Sequence, residues 1–221
     1  MNAIFIAGTD TGVGKTLITG LLASYLIGKG KSAVTQKWIA TGNTDDIRIH
    51  SKIMGVASTE NRGLIVPYSF KFAASPHLAA SLERKLINQK KIKKAFLELS
   101  RRYDFVIVEG TGGVLVPIDR VSLLIDIVRG LKLPVLLVID NKLGAINHTL
   151  LSIEALKKRR IPIIGLVFNN LSKTKKVILE DNQKIIREIS GIAVLGVLPR
   201  SNNIDVLKSR FKAIGDKIDL S

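Results

Sequence analysis

The sequence contains no cysteine among its 221 residues. This absence excludes disulfide bonds, thiol nucleophiles and cysteine-ligated metals, and it is consistent with the reducing cytoplasm that we expect for this chain. No apolar run approaches the length of about 18 residues that a transmembrane helix needs. The first residues lack the basic start and long apolar stretch of a signal peptide, so none is expected.

Acidic residues are scarce relative to basic ones. The chain has 34 Lys and Arg against 18 Asp and Glu, which gives a formal net charge of +16. Such a surplus favours anionic partners. The basic residues, however, fall into separate groups at Lys90–Lys94, Lys157–Arg160 and Lys173–Lys176, each on or beside a predicted helix. This scatter is typical of solvated helix faces, so we predict neither a nucleic-acid nor a membrane partner, only long-range attraction of small anions.

Short apolar runs alternate with helical patterns along most of the chain. Near-continuous apolar strands separated by helices predict an α/β fold, a mostly parallel sheet flanked by helices on both faces. The predicted strands are Ala3–Ala7, Ala33–Gln36, Phe105–Glu109, Pro134–Ile139, Ile163–Phe168 and Val194–Leu198. The predicted helices include Lys15–Lys29, Ile146–Lys158 and Lys176–Ile189.

The segment Ile39–Lys94 is less regular, with two or three short helices predicted and a break at Val66–Pro67. No linker or repeat divides the sequence, so residues 1–221 are predicted to form a single domain. Parallel sheets bind ligands at the carboxyl ends of their strands. The residues that follow each predicted strand are therefore the candidates for function.

The first predicted strand leads into Gly8–Thr16, "GTDTGVGKT", and a helix follows at once. This context is that of a phosphate-binding loop, whose backbone N–H groups form an anion nest at a helix N-terminus. Lys15 is placed to reach the β- and γ-phosphates, and the Thr16 hydroxyl to bind Mg²⁺. The usual spacing puts the first glycine at position 9, which is Thr9 in this sequence. Gly8 stands one residue earlier, and we interpret this as a lengthened loop.

Two other strand ends carry residues suited to phosphate chemistry. A phosphate loop requires a metal-binding carboxylate at the end of another strand, and Glu109 follows the apolar run "FVIV". The glycine-rich Gly110–Gly113 comes next and allows close backbone approach to a ligand. Lys37 follows the second strand and would stabilise a transferring phosphoryl group. The pair Asp45–Asp46 helps to hold Mg²⁺, caps the next helix, or does both.

Three further segments allow more than one interpretation. Gly144–Asn147 opens a predicted helix, whose free N–H groups would bind a carboxylate unless the segment is an ordinary loop-to-helix junction. The amides of Asn169 and Asn170 are suited to a nucleobase edge but equally to a turn. Ser75-Pro76-His77 indicates a helix start with serine as the cap. No histidine has metal-ligand spacing to another.

Taken in order, these segments resemble the dethiobiotin synthetase family over nearly the whole chain. The lengthened loop is itself typical of that family. The matching pieces are "GTDTGVGKT", Lys37 with Ala40–Gly42, Ser75–His77, Val108–Gly113, Lys142–His148, Asn169-Asn170 and Leu195–Pro199. The resemblance implies a P-loop NTPase fold. It also implies ATP- and Mg²⁺-dependent ring closure on 7,8-diaminononanoate with CO₂, giving dethiobiotin, ADP and phosphate in biotin biosynthesis.

The resemblance also implies roles for individual residues. Lys15 and Lys37 would be catalytic, and Thr16, Asp46 and Glu109 would hold Mg²⁺. Thr41 would contact the substrate. ATP would be bound by Gly12, Val13, Gly14, Lys15, Thr16, Leu17, Asp46, Glu109, Gly110, Thr111, Gly112, Asn169, Asn170, Pro199, Arg200 and Ser201. In the family, the loop matching Gly144, Ala145, Ile146 and Asn147 binds the substrate carboxylate from the partner subunit, which implies a homodimer with sites at the interface.

The sequence departs from the family pattern at two places. Trp38 replaces the proline that usually follows the lysine, so the fixed proline dihedral is absent beside Lys37. Thr111 replaces a common alanine, a change expected to be harmless. The choice of Asp46 over Asp45 rests on alignment across a short, variable segment.

Two other functions share parts of this pattern. A corrin-amidating ligase of the same superfamily carries a glutamine-hydrolysing domain with a catalytic cysteine, which this chain lacks. A partition or septum-placement ATPase, which switches while bound to DNA or membrane, would suit the positive charge. Such ATPases typically have a second lysine early in the loop, at which this sequence has Thr9–Thr11, and they lack the "SPH" and "KLGAINH" segments. This ATPase is kept as the alternative.

Overall fold

A parallel sheet forms the centre of the computed structural model, which describes residues 2–42, 45–56 and 60–218. Its order is β2-β5-β1-β6-β7-β8, and every neighbouring pair is parallel. A second, two-stranded parallel sheet pairs β3 with β4. The strands are β1 (Ala3–Gly8), β2 (Ala33–Lys37), β3 (Ile39–Thr41), β4 (Tyr68–Phe70), β5 (Phe105–Glu109), β6 (Val135–Asp140), β7 (Ile163–Asn169) and β8 (Val194–Leu198).

Helices cover both faces of the main sheet. α1 and α9 pack on one face, and α5, α6, α7 and α8 contribute to the core on the other. The helices are α1 (Lys15–Gly28), α2 (Asp46–Met54), α3 (Arg62–Ile65), α4 (Pro76–Leu82), α5 (Gln89–Arg102), α6 (Leu124–Gly130), α7 (Ala145–Lys158), α8 (Lys176–Ser190) and α9 (Ile204–Gly215).

The central strands β5, β1 and β6 are buried along their whole length, which is why they are apolar up to their last residues. Ile4 and Ile6 of β1 belong to the core under α1 and α9, while Phe5 and Ala7 belong to the core on the opposite face. This alternation follows from the two-residue period of side chains along a strand. The predicted α/β fold with helices on both faces is therefore confirmed.

The boundaries of the listed strands and helices change by at most one residue, but three features were not predicted. These are the β3–β4 pair, α6 and α9. Strands of three residues are too short to display a period of two, and they depend on the partner strand for their hydrogen bonds. Ser75 does precede α4, with Pro76 in the first turn, but its side chain makes no cap. The Ser75 hydroxyl lies instead 3.1 Å from Nδ1 of His77, so the predicted helix start is confirmed and only the side-chain cap of Ser75 is wrong.

Within the described ranges, none of the helices combines the length and apolarity needed to cross a bilayer.

Candidate active site

The loop between β1 and α1 is shaped by its glycines. Gly14 has a positive φ of 97° and caps α1. A Cβ at Gly14 would lie only 2.1 Å from Nδ2 of Asn169, so conformation and space both require glycine. A Cβ at Gly8 would come within 2.9 Å of the Asp10 carbonyl oxygen and of Lys15 Nζ. The early glycine of this lengthened loop therefore stands where the returning chain approaches most closely.

Lys15 lies at the start of α1 and folds back over the loop. Its ammonium donates to the carbonyl of Asp10 at 2.7 Å. Burial lowers the pKa of Lys15 to about 8, with the positive charge of Lys37 acting in the same direction. The Lys15 ammonium is thus buried and repelled by the charge of Lys37, and a bound anion would offset this repulsion.

Lys37 and Glu109 form a buried ion pair at the ends of two adjacent strands. They are register partners in the β2–β5 pairing, so both side chains leave the sheet on the same side. Lys37 Nζ lies 2.6 Å from Glu109 Oε1 and also donates to the Gly110 carbonyl at 2.9 Å. The ammonium reaches a second carboxylate, Asp46 Oδ2, at 3.0 Å.

These contacts decide the charge state of the pair. Burial acts to raise the pKa of Glu109, but the charge of Lys37 and the hydrogen bond with His50 outweigh it and lower that pKa to about 2. Burial likewise acts to lower the pKa of Lys37, and the carboxylates of Glu109 and Asp46 reverse this effect, so the pKa is raised. Lys37 and Glu109 are therefore both ionised at neutral pH.

The two neighbouring aspartates have separate positions. The Asp45 side chain caps α2 by accepting a hydrogen bond from the Arg48 backbone N–H at 3.2 Å. Asp46, the first residue of α2, turns into the site, where its Oδ1 accepts from Thr16 Oγ1 at 3.2 Å. Asp45 thus caps the helix, and Asp46 lies in the site beside Thr16 and Lys37. This division agrees with the interpretation that the pair serves both purposes.

Thr16 brings the phosphate loop and the carboxylates together. Its hydroxyl lies 3.0 Å from Glu109 Oε1 as well as near Asp46. One hydroxyl and two carboxylates form a set of hard oxygen donors of the kind that Mg²⁺ prefers. Among the described residues, no three His, Asp or Glu side chains are grouped to hold a metal by themselves. The set therefore fits a Mg²⁺ ion that also takes ligands from substrate phosphates.

These residues line one cleft of about 490 Å³ at the carboxyl edge of the sheet. Thr41, the predicted substrate contact, is part of its wall, and Ile49 of α2 adds an apolar surface. The lining residues are Thr11, Gly12, Gly14, Lys15, Thr16, Leu17, Lys37, Thr41, Asp46, Ile49, Glu109, Thr111 and Gly112. Of the predicted phosphate-binding residues, Val13 is buried beneath the loop instead of lining the cleft.

Both departures from the family pattern have a structural explanation. Trp38 is fully buried, with its ring centroid 5.4 Å from that of Phe5 and 6.2 Å from that of Phe96. Its indole N–H donates to Gln36 Oε1 at 2.8 Å. Packing of this large side chain thus anchors the backbone next to Lys37. Thr111 donates its hydroxyl to the Ile39 carbonyl, which ties the glycine-rich loop to β3.

The predicted base-binding residues lie at the end of β7 and just after β7 and β8, away from the lining of the cleft. Asn169 is buried and donates from Nδ2 to the Val13 carbonyl at 3.1 Å, directly behind the phosphate loop. The Asn170 backbone N–H donates to the Leu198 carbonyl at 3.0 Å, so the segment Pro199–Ser201 follows the neighbouring strand. Asn170 Oδ1 accepts from Asn141 Nδ2 at 3.1 Å. The two segments lie side by side at the loop end of the sheet.

Gly144–Asn147 forms the start of α7 but does not line the cleft of its own chain. Gly144 adopts a left-handed conformation and no side chain caps the helix. Leu143, just before it, is 81% exposed. Gly144 and Asn147 are also exposed, whereas Ala145 is buried, so the first turn of α7 is only partly presented at the surface.

Besides Ile49, the sequence did not reveal His50 as a site residue. It is fully buried on α2, and its Nε2 lies 2.8 Å from Glu109 Oε2. Its position four residues after Asp46 places both side chains on one face of the helix. That spacing is the only signal in the sequence, and it becomes informative only when Asp46 is already assigned to the site.

A parallel sheet with a phosphate loop after its first strand, faced by a strand-end carboxylate, defines a P-loop NTPase. Solved structures of low sequence identity share this fold. MinD from Pyrococcus furiosus superposes with a TM-score of 0.62 at 16% identity, covering 99% of this chain and 98% of that one. A ParA family ATPase from Chlorobium tepidum gives 0.57 at 16% identity, covering 97% and 92%.

Sequence comparison gives the family. A family model described as an AAA domain matches residues 2–206. The chain is 40% identical to ATP-dependent dethiobiotin synthetase BioD 2 of Pasteurella multocida, over 83% of this chain and 88% of the relative. It is 38% identical to the BioD enzyme of Lysinibacillus sphaericus, over 94% of this chain and 91% of the relative. The chain belongs to the ATP-dependent dethiobiotin synthetase family, whose members are ligases that form carbon–nitrogen bonds.

Proposed function

We propose that the chain joins CO₂ to the two amines of 7,8-diaminononanoate, with ATP and Mg²⁺, to form the ureido ring of dethiobiotin in biotin biosynthesis. The observation that carries this proposal is the meeting of three chain segments around one carboxylate. Glu109 Oε1 lies 2.6 Å from Lys37 Nζ and 3.0 Å from Thr16 Oγ1 at the end of the phosphate loop. Such a site can hold a nucleoside triphosphate beside a second reactant.

The reaction needs little covalent chemistry from the protein. One substrate amine adds to CO₂, loses a proton and becomes a carbamate. A carbamate oxygen attacks the γ-phosphorus of ATP and ADP leaves. The second amine then attacks the carbamate carbon, loses a proton and expels phosphate, which closes the ring. Each step is one that positioning and charge stabilisation accelerate, so no side-chain nucleophile is required.

Lys15 and Lys37 are the charged groups assigned to these steps. Lys15, at the start of α1, would contact the transferred phosphoryl oxygens from the loop side. Lys37, at the end of β2, would face the carbamate and the same oxygens from the opposite wall. Both lysines are buried, and electrostatic stabilisation is stronger in such a water-poor site than in solution.

Thr16, Asp46 and Glu109 would hold Mg²⁺, which when bound neutralises charge on the β- and γ-phosphates. The glycine-rich loop from Gly12 to Leu17, together with Gly110–Gly112, would wrap the phosphates. Asn169, Asn170 and Pro199–Ser201 would contact the base. Thr41 would contact the amine or carbamate end of the substrate, since it lies on the cleft wall.

A homodimer completes this proposal. The start of α7, Gly144–Asn147, would bind the substrate carboxylate across the interface, because it does not line the cleft of its own chain. Large apolar side chains are exposed on and beside α7, namely Leu143 just before it, Leu151 on it, and Leu115, which lines one surface depression together with Leu151. A second copy that covers this surface would bury apolar area and bring the α7 start to the neighbouring cleft. We place the enzyme in the cytoplasm, without nucleic acid or membrane as partners.

Incorporation of labelled bicarbonate tests the reaction. The chain is incubated with 7,8-diaminononanoate, ATP, Mg²⁺ and labelled bicarbonate, and acid-stable label in dethiobiotin is measured. We expect product and ADP in equal amounts. ATP hydrolysis that depends on DNA or vesicles, without labelled product, would instead support the partition-type ATPase, which the relatives do not favour.

Mixing two inactive variants tests the shared site. Lys37→Met should remove the chemistry, and Ile146→Pro should remove one N–H from the first turn of α7, a turn that tolerates proline. If sites form across a dimer interface, mixed subunits regain about a quarter of wild-type activity, because some dimers combine the intact half of each variant. A mixture that stays inactive while sedimentation shows mixed dimers would contradict the shared site.

A further inference from the structure

His50 lies behind the carboxylate cluster, fully buried on α2 and one turn after Asp46. Its Nε2 atom is 2.8 Å from Glu109 Oε2. Lys37 and Thr16 both bond to the other oxygen, Oε1. Each oxygen of the Glu109 carboxylate therefore has its own partners: Oε1 contacts Lys37 and Thr16, and Oε2 contacts His50.

The position of the imidazole hydrogen follows from the partners. A carboxylate oxygen accepts hydrogen bonds, so the 2.8 Å contact between Nε2 and Oε2 needs a hydrogen on Nε2. Nδ1 is buried and has no hydrogen-bond partner among the residues that the structure describes. A hydrogen on Nδ1 would be a buried donor left unsatisfied, which is costly. The imidazole is thus arranged to donate one hydrogen bond, to Glu109.

We propose that His50 is a positioning residue for the Mg²⁺ site, one that directs Glu109 Oε1 toward Thr16. This inference rests on the proposed function, in which Glu109 is a metal ligand. A carboxylate held only by Lys37 could rotate and offer both oxygens to the ammonium. The hydrogen bond at Oε2 opposes that rotation and keeps Oε1 beside the Thr16 hydroxyl. Partners that orient a metal ligand in this way typically change metal affinity by about 10- to 100-fold.

Mn²⁺ affinity in the presence of ADP provides a readout that does not depend on turnover. Mn²⁺ replaces Mg²⁺ because its free form is measured directly by electron paramagnetic resonance. We expect His50→Leu, which fills the space without a donor, to weaken Mn²⁺ binding by about tenfold or more. His50→Gln places an amide N–H near the original Nε2 position and should stay within about threefold of wild type. In turnover, His50→Leu should need more Mg²⁺ yet approach the wild-type kcat at saturating metal.

A double-mutant cycle separates positioning from a general structural effect. If His50 acts through Glu109, then His50→Leu should change Mn²⁺ affinity by less than about twofold in a Glu109→Gln background. If His50→Leu weakened Mn²⁺ binding equally in the wild-type and Glu109→Gln proteins, His50 would not act through Glu109, and the inference would be overturned. So would a His50→Leu variant that binds Mn²⁺ as tightly as wild type. If His50→Leu does not fold, His50→Asn serves instead, since its amide reaches the Nδ1 position but not Glu109.

The wild-type protein supplies an independent measurement. A long-range ¹H–¹⁵N spectrum reports which ring nitrogens carry a hydrogen, and the signal of His50 is the one that disappears in His50→Gln. We expect Nε2 to carry a hydrogen, and an Nε2 without one would overturn the inference. Failure of the proposed function is a different result. In that case the wild type itself shows no Mn²⁺ binding with ADP, and the metal site and this inference fall together.

Discussion

Lys37 and Glu109 are 72 residues apart in the chain, yet their side chains meet at 2.6 Å because they are register partners at the ends of β2 and β5. Both side chains are almost completely buried. The pair places two buried charges in the wall of the candidate nucleotide cleft. Its ionisation, its packing and the loop that faces it each lead to a measurable expectation.

Replacing Lys37 separates chemistry from nucleotide binding. We expect Lys37→Met to reduce kcat by about 10²- to 10³-fold, as loss of a charge that stabilises the transition state does. The affinity for ADP should change by no more than about threefold, because the phosphate loop makes the contacts that hold ADP. Steady-state assays and calorimetric titration measure the two quantities. An unchanged kcat would refute the assigned role.

The same substitution leaves two carboxylates without their cation. Because the pair is buried, we expect Lys37→Met to lower the free energy of unfolding at neutral pH by about 3–5 kcal/mol. The matched control is Lys29→Met, which breaks the exposed pair with Asp216 just after the end of α1 and should shift the urea midpoint little. Equal shifts in the two variants would show that burial does not strengthen the Lys37 pair.

Glu109 makes stability depend on acid. The pKa of Glu109 is lowered from 4.5 to about 2 in the folded protein, so the unfolded chain takes up this proton first as pH falls. Its contribution is fully present above about pH 4.5, is lost as pH falls toward 2, and amounts to about 3 kcal/mol. Urea unfolding at several pH values in this range gives the free energy of unfolding as a function of pH. This free energy should fall less steeply with falling pH in Glu109→Gln than in the wild type. Glu180→Gln, on the exposed face of α8, should show the same pH dependence as the wild type.

Nucleotide binding should take up a proton at alkaline pH. Burial and the nearby Lys37 lower the pKa of Lys15 to about 8, so most of the free protein lacks this proton at pH 9. A bound ADP phosphate favours the charged lysine and raises that pKa again. Titrations in buffers of different ionisation enthalpy should show uptake of nearly one proton at about pH 9 and little at pH 7. Equal proton counts at the two pH values would rule out a lowered pKa.

Trp38 should matter for stability as well as for activity. Trp38→Ala removes a fully buried ring that packs on Phe5 and Phe96. We expect a loss of about 3–5 kcal/mol in the free energy of unfolding, together with a lower kcat because the backbone beside Lys37 loses its anchor. Trp38→Phe, which keeps an aromatic ring, should lose less of both. A Trp38→Pro variant as stable as the wild type would contradict this expectation, because the fixed proline dihedral would then replace the packing of the ring.

Several features of this protein are determined by local sequence. Continuous apolar runs that alternate with helical patterns specify a covered parallel sheet, since only strands buried on both faces have that composition. The phosphate loop is equally local, because the backbone geometry of Gly8 and Gly14 and the adjacent lysine and threonine lie within one short segment. The assignment of Glu109 needed only an apolar run that ends in a carboxylate.

Tertiary structure decided which of these residues meet. The order β2-β5-β1 places Lys37 beside Glu109, and no local pattern reports which strands are neighbours. The short strands β3 and β4 exist only as partners of each other. His50 has an unremarkable sequence context, and its bond to Glu109 depends on the way α2 packs against the sheet. Local chemistry specifies which groups are available, whereas long-range packing fixes the distances at which they interact.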